Sequence, residues 1–394
     1  MKVLLVHNYY QQRGGEDEVF ASEAELLEAH GHSVVRYTVH NDQLAEMNPL
    51  HMLQATLWNK TIYDELRVLI CKERPHVAHF HNTFPLISPA AYYAAKAEGI
   101  PVIQTLHNYR LLCPSQGGIF FRKGEVCEDC LGKLFPWPGI AHSCFRNSKA
   151  ATTVHVMMLS LHRNLQTWTK MVDVYIALTE FARQKFIQGG LPAEKIVVKP
   201  NFVYPDPSPG EGQGGYALFV GRFSSEKGID TLLAAWEQLN NKVPLKIVGD
   251  GPLALQVTKA AERLPEVEWL GWLSRSEVLA LMKNAHVLLF PSLWYEGFPM
   301  VIVEAFAVGL PVVASNLGSM SSLITPGRTG LHFRPGNPED LVTQMEWALT
   351  HPAELAQMRQ EARAEFEANY TAEQNYQMLV EIYERVTGLS ETFI

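Results

Sequence analysis

The chain has 394 residues, of which 47% are hydrophobic and 19% are charged. This length and composition are typical of a globular protein with about two domains. No apolar run approaches the ~18 residues that a membrane-spanning helix needs, and the short apolar run at the N-terminus lacks the cleavage site of a signal peptide. We therefore expect a cytoplasmic protein. No basic run or aromatic platform predicts nucleic acid as a partner.

The formal net charge of −8 is unevenly distributed. Residues 1–205 carry 20 Lys and Arg against 18 Asp and Glu, whereas residues 206–394 carry 13 against 23. A slight positive excess in the first half suits an anionic acceptor or a lipid headgroup surface, although chance variation explains it equally well. Peripheral association with the inner face of a membrane is therefore one expectation.

The first half alternates apolar, β-branched runs with helical stretches. The predicted strands are residues 2–6, 33–39, 76–80, 101–107, 172–178 and 195–201. Strands that alternate with helices of about 10–15 residues predict parallel βαβ units. We therefore expect an N-terminal Rossmann-like, acceptor-side domain over residues 1–203.

A Pro- and Gly-rich stretch over residues 204–215 predicts a linker. The alternation then restarts, and the predicted strands are residues 216–221, 244–249, 267–271, 286–292 and 311–315. This pattern predicts a second Rossmann-like domain over residues 216–370, which would bind the nucleotide. Apolar residues at helical spacing predict a helix over residues 371–394, expected to return to the first domain.

The segment from Gly221 to Gly228 reads Gly-Arg-Phe-Ser-Ser-Glu-Lys-Gly and follows an apolar strand. Open α/β sheets bind ligands beyond the carboxyl ends of their strands, so Arg222 and Lys227 are expected at a ligand edge. Arg can fork onto phosphate oxygens, and Lys supplies a point charge. The two cations predict a diphosphate site, and a solvated turn with two surface charges is the alternative.

The segment Trp294–Ala305 carries two glutamates, Glu296 and Glu304, around a predicted helix start. Free backbone N–H groups at a helix start bind phosphate. Here those groups belong to Gly297, Phe298, Met300 and Val301. Glu304 lies about one turn into the helix, where a carboxylate can bind two ribose hydroxyls. Two unrelated glutamates, one exposed and one capping, are the alternative.

In the first half, Gly14 and Gly15 follow the first strand and precede a predicted helix. Glycines there allow a phosphate or sugar to approach the backbone closely, although Gly-Gly also occurs in plain turns. His107 ends a predicted strand and is expected at the same ligand edge. For His107 taken alone, a core histidine bonded to the backbone is the favoured alternative. His79 and His81 end another strand and are weaker candidates.

Several short motifs occur in one order along the chain. They are Gly14-Gly15, Thr105-Leu-His107, Pro200-Asn201, Gly221-Arg222 with Lys227-Gly228, Val248-Gly-Asp-Gly251, and Glu296 with Glu304. Together they resemble retaining glycosyltransferase family 4, over about residues 1–385. The resemblance implies an α/β protein with the GT-B fold, in which two Rossmann-like doubly wound parallel-sheet domains face a cleft and a helical C-terminal tail packs back on the N-terminal domain.

The resemblance also implies roles for the motif residues. Arg222 and Lys227 would hold the diphosphate of the donor, and Glu296 would contact hydroxyls of the donor sugar. His107 would contact the far edge of that sugar, and Glu304 would bind the ribose. Further donor contacts are implied for Gly14, Gly15, Asn201, Gly221, Gly249, Leu273, Gly297, Phe298, Met300 and Val301.

The implied reaction is transfer of a hexose-type sugar, with retention, from a UDP-sugar or less favoured GDP-sugar to a saccharide or lipid-linked acceptor. Fixed cations would stabilise the departing diphosphate, so no metal or cofactor is expected to be required. The alternatives are a nucleotide-sugar epimerase of the same fold and a catalytically silent nucleotide-sugar-binding subunit. Ser322 departs from the family pattern, because a glutamate is expected there, and this leaves local donor contacts open.

Four of the five cysteines lie in a long loop over residues 110–149. They are Cys113, Cys127, Cys130 and Cys144, spaced C-x13-C-x2-C-x13-C. Four thiolates can close a tetrahedral zinc site, and a long loop in a compact domain needs a staple or a function. Structural zinc is favoured over unligated thiols and over disulfide or redox pairing. The loop's aromatic residues either touch an acceptor or lipid or fill a satellite core; they are Phe120, Phe121, Phe135 and Trp137.

Overall fold

The structure is a computed structural model, and it describes residues 1–11 and 14–389. The chain divides into two compact units. Unit 1 comprises Met1–Phe120, Glu128–Asn201 and the chain from Asn375 onward, and unit 2 comprises Phe121–Cys127 and Phe202–Gln374. The divisions after Asn201 and Gln374 lie within a few residues of the expected bounds at 203 and 370. The short piece Phe121–Cys127 was not expected in the second unit.

The strands and helices are numbered here in chain order. The strands are β1 (Lys2–Tyr9), β2 (Ser33–His40), β3 (Val77–Asn82), β4 (Val102–Leu106), β5 (Phe121–Arg122), β6 (Glu125–Val126), β7 (Val174–Ala177), β8 (Ile196–Val198), β9 (Ala217–Val220), β10 (Leu245–Val248), β11 (Val267–Trp269), β12 (Val287–Phe290), β13 (Val312–Ser315) and β14 (Gly330–Phe333). The helices are α1 (Gly15–Ala29), α2 (Pro49–Leu57), α3 (Lys60–Glu73), α4 (Ala90–Ala97), α5 (Trp137–Ala141), α6 (Lys149–Asn164), α7 (Thr167–Lys170), α8 (Glu180–Gln188), α9 (Ile229–Leu239), α10 (Ala254–Arg263), α11 (Arg275–Asn284), α12 (Met300–Ala307), α13 (Gly318–Leu323), α14 (Pro338–Thr350), α15 (Pro352–Asn369) and α16 (Ala372–Thr387). Among the described residues, no helix combines the length and apolarity that crossing a bilayer requires.

Each unit is built on one six-stranded sheet in which every pairing is parallel. The strand order is β2-β1-β3-β4-β7-β8 in unit 1 and β11-β10-β9-β12-β13-β14 in unit 2. The order reverses beside the first strand of each sheet, between β1 and β3 and between β9 and β12. Doubly wound sheets bind ligands at such a switch point. The two predicted Rossmann-like domains are therefore confirmed, and their topology locates two candidate sites.

Both faces of the second sheet are covered, because alternate residues of each strand point to opposite faces. In β9, Ala217 and Phe219 belong to one buried core, whereas Leu218 belongs to another. Helix α9 supplies the fully buried Trp236 to the first core, and its Nε1 donates to the Val243 carbonyl at 3.0 Å. The two central strands β9 and β12 are accordingly apolar along their whole length, as is typical of parallel sheets that are covered on both faces.

The C-terminal helix α16 packs on unit 1, as predicted. The hydroxyl of Tyr376 lies 2.9 Å from Nε2 of His32, and that of Tyr383 lies 2.8 Å from Nδ1 of His79. Both tyrosines are buried, so these hydrogen bonds form away from water, where an unpaired hydroxyl is costly. Residues 390–394, the end of the helix predicted over 371–394, lie outside the described residues.

The Pro- and Gly-rich segment 204–215 forms no helix or strand, and it is bound along unit 2. The N–H groups of Gly210 and Gly214 donate to the carbonyls of Val308 and Asn284 at 2.9 and 2.8 Å. A Cβ on Gly210 would lie 2.3 Å from the Lys283 carbonyl oxygen. The glycines of this segment therefore permit close backbone approach as well as flexibility in the unfolded chain.

Candidate functional site

The first candidate site is the switch point of unit 2, where β9 and β12 end side by side. After β9 the chain passes Arg222, forms a 3-10 turn over Ser225–Lys227 and enters α9 at Gly228. Gly228 has a φ of +72°, and a Cβ there would lie 2.0 Å from the carbonyl oxygen of Pro291, just after β12. Only glycine allows this approach, which brings Lys227 to the end of β12.

Lys227 and Glu296 form an ion pair at this point, with 2.7 Å between Nζ and Oε1. The same carboxylate oxygen accepts hydrogen bonds from Ser292 Oγ at 2.7 Å and from Trp294 Nε1 at 2.9 Å. Only 7% of the Glu296 side chain is exposed, against 22% of the Lys227 side chain. Three donors therefore fix the carboxylate, while part of the ammonium faces solvent and can meet an incoming anion.

Two aromatic rings flank the ammonium of Lys227. Its Nζ lies 5.5 Å from the ring centre of Phe290 and 5.4 Å from that of Trp294. Cation–π attraction of this kind is worth about 0.5–1 kcal/mol at exposed sites. Trp294 therefore contacts both members of the ion pair. The sequence patterns did not predict this role, although Trp294 lies only two residues before Glu296.

Arg222, the other predicted cation, lies on the same β9–α9 loop and is exposed. Its guanidinium makes no hydrogen bond or ion pair within the part of the chain that the structure describes. A guanidinium without a protein partner suits the bidentate binding of phosphate oxygens. Arg222 and Lys227 therefore belong to one loop at the ligand edge of the sheet, as expected from their spacing.

The loop between β12 and α12 is held by Ser319, which the sequence patterns did not predict. Its hydroxyl lies 2.8 Å from the carbonyl oxygen of Glu296 and 3.3 Å from that of Gly297. Pro299 is the N-cap of α12, and the helix begins at Met300. The predicted phosphate-binding residues all belong to this loop and the first helical turn, and each is half-buried: Gly297, Phe298, Met300 and Val301.

Ser322, where a glutamate is expected from the family pattern, is exposed on α13. Its hydroxyl donates to the carbonyl of Ser319 in its own helix at 2.9 Å. The contact that α13 makes to the Glu296 loop comes from Ser319 instead. The position of Ser322 therefore affects the surface of the helix rather than the support of that loop.

Glu304 lies in the second turn of α12, paired with a residue that the sequence patterns did not predict. Arg275 donates from Nε to Glu304 Oε1 at 2.9 Å and from Nη1 to the Tyr204 carbonyl at 2.9 Å. Burial raises the pKa of Glu304, and Arg275 counteracts part of that rise. A ribose bound by Glu304 would therefore share the carboxylate with Arg275.

Two further predicted donor contacts, Gly249 and Gly221, join the ends of neighbouring strands. Gly249 has a φ of +135°, and a Cβ there would lie 2.0 Å from the Gly221 carbonyl oxygen. The N–H of Gly221 donates to the Val248 carbonyl at 3.1 Å. The fold itself therefore requires glycine at position 249. Leu273, the last predicted contact in this unit, is half-buried against the core.

The second candidate site is the switch point of unit 1, between β1 and β3. Helix α1 begins at Gly15, with Gly14 as its N-cap. Asp17 accepts from the N–H of Gly14 at 2.8 Å, and its other oxygen lies 2.7 Å from Nε2 of His7. A Cβ on Gly15 would meet no atom of the described residues within 4 Å. Asp17 thus fixes the helix start, and open space lies at Gly15.

His107 follows β4, is half-buried and bonds to a side chain rather than to the backbone. Its Nε2 lies 3.0 Å from Nδ1 of His81, and Nε2 of His81 lies 3.2 Å from Oε1 of Glu23. Burial, with smaller contributions from neighbouring histidines, lowers the pKa of His81 to about 4 and that of His107 well below its usual value. Both rings are therefore neutral near pH 7.

The charge of Glu23 sets the direction of these hydrogen bonds. Burial opposes its ionisation, but Lys199, His79 and His81 together lower the pKa of Glu23 well below its usual value. The 3.2 Å contact between His81 Nε2 and Glu23 Oε1 is electrostatic, because neither atom has a hydrogen-bond partner among the described residues. An ionised carboxylate attracts an N–H group, which favours the Nε2–H form of His81, whose Nδ1 accepts from Nε2–H of His107. Nδ1 of His107 is then an acceptor, which suits a sugar hydroxyl.

Glu23 also pairs with Lys199 at 3.0 Å, and each side chain is only 1% exposed. Nζ of Lys199 lies 3.1 Å from Oδ1 of Asn375, which links the pair to the C-terminal part of the chain. Glu23, His79 and His81 could also hold a metal ion, because their ligand atoms lie within 4.8 Å of one another. Lys199 already supplies the compensating positive charge, so the cluster is explained without a metal.

Asn201, a predicted donor contact, is buried at the end of the long N-terminal part of unit 1. Its Oδ1 accepts no hydrogen bond from the residues that the structure describes. Leaving a buried acceptor unsatisfied costs about 1–3 kcal/mol. Oδ1 of Asn201 therefore remains able to accept a hydrogen bond, which fits its predicted contact with the donor.

A polar cluster beyond the ends of β1, β3 and β4 was not predicted. Arg110 is buried and donates to Oδ1 of Asn82 at 3.2 Å and to the Tyr10 hydroxyl at 3.1 Å. Its guanidinium also lies 4.6 Å from the ring centre of Phe84. Burial raises the pKa of Glu16 nearby, and Arg110 counteracts part of that rise. Tyr10, Asn82, Phe84 and Arg110 lie at or shortly after the end of a strand, which is the one feature of the sequence that could have indicated them.

None of the five cysteines forms a disulfide bond in the described chain. Segments bearing three of them meet at Gly139, whose carbonyl accepts from the N–H of Cys144 at 3.1 Å. A Cβ on Gly139 would lie 3.6 Å from Sγ of Cys130 and 2.5 Å from Pro114, the neighbour of Cys113. Zinc bound by Cys113, Cys127, Cys130 and Cys144 stays a prediction.

Two family models match the chain. Residues 14–201 match the "Glycosyl transferase 4-like domain", and residues 206–365 match "Glycosyl transferases group 1". An uncharacterized glycosyltransferase of Methanocaldococcus jannaschii is 31% identical over 45% of this chain and 50% of its own length. D-rhamnosyltransferase WbpZ of Pseudomonas aeruginosa is 33% identical over 40% and 42%. The chain thus spans about half the length, or less, of these curated relatives.

Solved structures resemble the whole chain. A glycosyltransferase from Rickettsia africae has a TM-score of 0.71 at 17% identity, with 99% of both chains covered. Anabaena HepE, solved with UDP, has a TM-score of 0.69 at 18% identity, with 98% of this chain and 100% of that chain covered. Likeness at such identities shows the fold, which is the GT-B fold.

Proposed function

We propose that this chain, which carries a glycosyl transferase 4-like domain followed by a glycosyl transferases group 1 domain, is a retaining, metal-independent glycosyltransferase. It moves a hexose-type sugar from a nucleotide-diphosphate donor onto a saccharide or lipid-linked acceptor. A UDP-sugar is the favoured donor, because similar structures of HepE contain UDP and UDP-glucose. A GDP-sugar is the second candidate.

The observation that carries this proposal is the Lys227–Glu296 ion pair at the switch point of unit 2. Both members come from loops at strand ends, and the exposed Arg222 belongs to the same loop as Lys227. The two cations of this loop would provide positive charge for a diphosphate, and the first turn of α12, which follows Glu296, would provide backbone N–H groups. A structural ion pair alone would not require the second, unpaired cation.

The reaction uses these charges to stabilise the leaving group. As the glycosidic bond breaks, the sugar carbon gains oxocarbenium character and negative charge grows on the diphosphate. Lys227 and Arg222 stabilise that charge in the transition state, which is the service that a metal ion provides in other enzymes. The acceptor attacks on the face that the diphosphate leaves, and a phosphate oxygen takes its proton, so the anomeric configuration is retained.

The remaining predicted residues are assigned by their chemistry. Glu304 binds ribose hydroxyls, Glu296 orients the donor sugar, and Nδ1 of His107 accepts from a sugar hydroxyl. Gly15 leaves room for a ligand at the start of α1. The polar cluster around Arg110 is assigned to the acceptor, because it lies at the ligand edge of the other sheet.

A donor panel tests the reaction class. The protein is incubated with individual UDP- and GDP-sugars, with and without acceptor saccharides, and release of nucleotide diphosphate is measured. Acceptor-dependent release is expected, and the coupling constant of the anomeric proton in the product reports retention. Interconversion of the donor without acceptor would identify an epimerase, and no turnover with any donor would identify a silent subunit. Addition of EDTA is expected to leave turnover unchanged.

Variants of the two cations test the site. Lys227→Ala is expected to lower turnover by about ten- to a thousandfold, as loss of an electrostatic contact to the transition state typically does. Arg222→Ala is the cleaner variant, because it breaks no side-chain hydrogen bond or ion pair among the described residues. Lys259→Ala, an exposed lysine on α10, is the control. Near-normal turnover in both Arg222→Ala and Lys227→Ala would remove the basis of the proposal.

A further inference from the structure

A long stretch of unit 1 contains no acidic residue. Residues 130–172 include no Asp or Glu, although the chain has 41 in 394 residues and a stretch of 43 would on average hold about four (41 × 43/394). The same stretch holds five basic residues: Lys133, Arg146, Lys149, Arg163 and Lys170. In a protein with a net charge of −8, this stretch is locally cationic.

The same stretch exposes large hydrophobic side chains. Six of them are at least 41% exposed, as many as in all the rest of the described chain. They are Leu134 (58%), Phe135 (50%), Trp137 (58%), Met157 (45%), Leu161 (41%) and Leu165 (50%). The loop aromatics therefore divide between the alternatives raised by the sequence. Phe120 is fully buried in the core, whereas Phe135 and Trp137 face solvent.

Helix α6 is apolar on its outer face as well as its inner face. Val156 and Leu159 are buried in unit 1, while Met157 and Leu161 are exposed one turn apart, with Leu165 one turn further. A surface helix normally places polar residues on its outer face. A contiguous exposed apolar stripe marks a surface that another molecule covers.

The loop and the helix form one surface. Arg163, near the end of α6, donates hydrogen bonds to the carbonyls of Lys133 and Leu111, which fixes residues 133 and 134 beside the helix. Helices α5 and α6 also pack together. We call this the α6 surface; its apolar members are the six named above, and its exposed cations are Lys133, Arg146, Lys149 and Lys170.

We propose that the α6 surface docks on an anionic lipid bilayer. Apolar side chains that enter the headgroup region, with Trp and Phe among them and Lys and Arg around them, are the pattern of interfacial membrane binding. A second copy of the chain fits poorly, because a twofold contact would bring two patches of net positive charge together; Asp129, beside His142, is one carboxylate against four exposed cations. This inference does not depend on the proposed reaction.

Vesicle co-sedimentation of the full chain tests the proposal without any substrate. The probes are vesicles of phosphatidylcholine alone and of phosphatidylcholine mixed with phosphatidylglycerol. Binding to the anionic vesicles is expected at low salt and should fall at least tenfold at high salt, because salt screens exposed charges. Equal binding to both vesicle types, or binding to neither, overturns the proposal.

Substitutions on the α6 surface separate its two contributions. Lys133→Glu with Lys149→Glu should weaken binding by at least 25-fold, since each cation near an anionic surface contributes about fivefold. Phe135→Ser with Trp137→Ser should weaken it at least tenfold. All four residues are exposed, so the fold is expected to tolerate the changes, and thermal unfolding verifies this.

The matched control lies on another helix of the same unit. Val68→Gln with Lys72→Glu changes one exposed apolar and one exposed basic residue on α3, where the side chains are 70% and 77% exposed. This variant should bind vesicles within twofold of wild type. Equal losses in the control would show that general charge, and not the α6 surface, drives binding. A dimer in solution that the α6-surface variants dissociate would identify a protein interface and overturn the proposal.

Discussion

The two switch points share one topology but use charge differently. In unit 2 the Lys227–Glu296 pair keeps 22% of the lysine side chain exposed. In unit 1 the Lys199–Glu23 pair has each side chain at 1% exposure. A partly solvated ammonium can exchange its partner for a ligand, whereas a fully buried pair is broken only at a large desolvation cost. The first pair is therefore accessible to the proposed donor, whereas the second is expected to stabilise the fold.

The glycines at the two helix starts also differ, but here the open position is in unit 1 and the tightly packed position is in unit 2. A Cβ on Gly228 in unit 2 would lie 2.0 Å from a backbone oxygen, whereas a Cβ on Gly15 in unit 1 would have no neighbour within 4 Å in the part of the chain that the structure describes. In unit 2 the glycine serves packing, and the charge is left accessible for the proposed ligand. In unit 1 the charge serves packing and the glycine leaves room for a ligand. Four substitutions or titrations test this comparison.

The largest stability effect is expected for Lys199→Met. Removing one partner of a buried ion pair costs about 3–5 kcal/mol, because the other charge stays buried without compensation. Chemical denaturation measures the free energy of unfolding. Adding Glu23→Gln to this variant should recover most of the loss, since no buried charge then remains. A wild-type unfolding midpoint for Lys199→Met alone would show that the pair does not hold the fold.

The next effect is expected for Gly228→Ala. A left-handed residue with a Cβ costs about 1–2 kcal/mol, and the overlap with the Pro291 carbonyl adds about 1–3 kcal/mol. The control is Gly327→Ala, because Gly327 also has a positive φ of +77° but open space around it. Thermal unfolding should show only the conformational cost at Gly327. Equal losses at both positions would contradict a packing role for Gly228.

The buried histidines predict a pH dependence of stability. Burial lowers the pKa of His81 to about 4 and that of His155 to about 3, below the ~6.5 of an unfolded histidine. The unfolded state therefore binds more protons as the pH falls below about 6.5, and each histidine lowers stability by about 1.4 kcal/mol per pH unit down to its folded pKa. Urea unfolding between pH 7 and pH 5 measures this slope. Replacing His81 by Asn should reduce the slope of the unfolding free energy with pH by about the contribution of one histidine. An unchanged slope would contradict the lowered pKa of His81.

The smallest stability effect is expected for Gly15→Ala. The site has room for a methyl group, so the free energy of unfolding should change by less than about 0.5–1 kcal/mol, with stabilisation favoured by the reduced freedom of the unfolded chain. If a phosphate or sugar approaches there, kcat/KM should still fall about tenfold, equivalent to ~1.4 kcal/mol. Unchanged kinetics in this stable variant would show that the open space is not ligand space.

The sequence predicted most of the sheet strands because their apolar runs are local signals. It did not predict β14 (Gly330–Phe333), whose sequence Gly-Leu-His-Phe has no β-branched residue and which follows a Pro- and Gly-containing turn. The supporting residues Ser319 and Arg275 were also missed. Each acts through a partner more than 20 residues away, Ser319 on Glu296 and Arg275 on Glu304, and no local pattern marks such a pairing.

The sequence alone determined the alternation of strands and helices, the presence of two Rossmann-like units, and the loops that carry Arg222, Lys227 and Glu296. Only the tertiary structure decided which charges meet. Lys227 and Glu296 are 69 residues apart in sequence, and Lys199 and Glu23 are 176 apart. A parallel sheet gathers the carboxyl ends of its strands at one edge, but the strand order decides which loops become neighbours. That order depends on how whole helices and strands pack, which no single segment encodes.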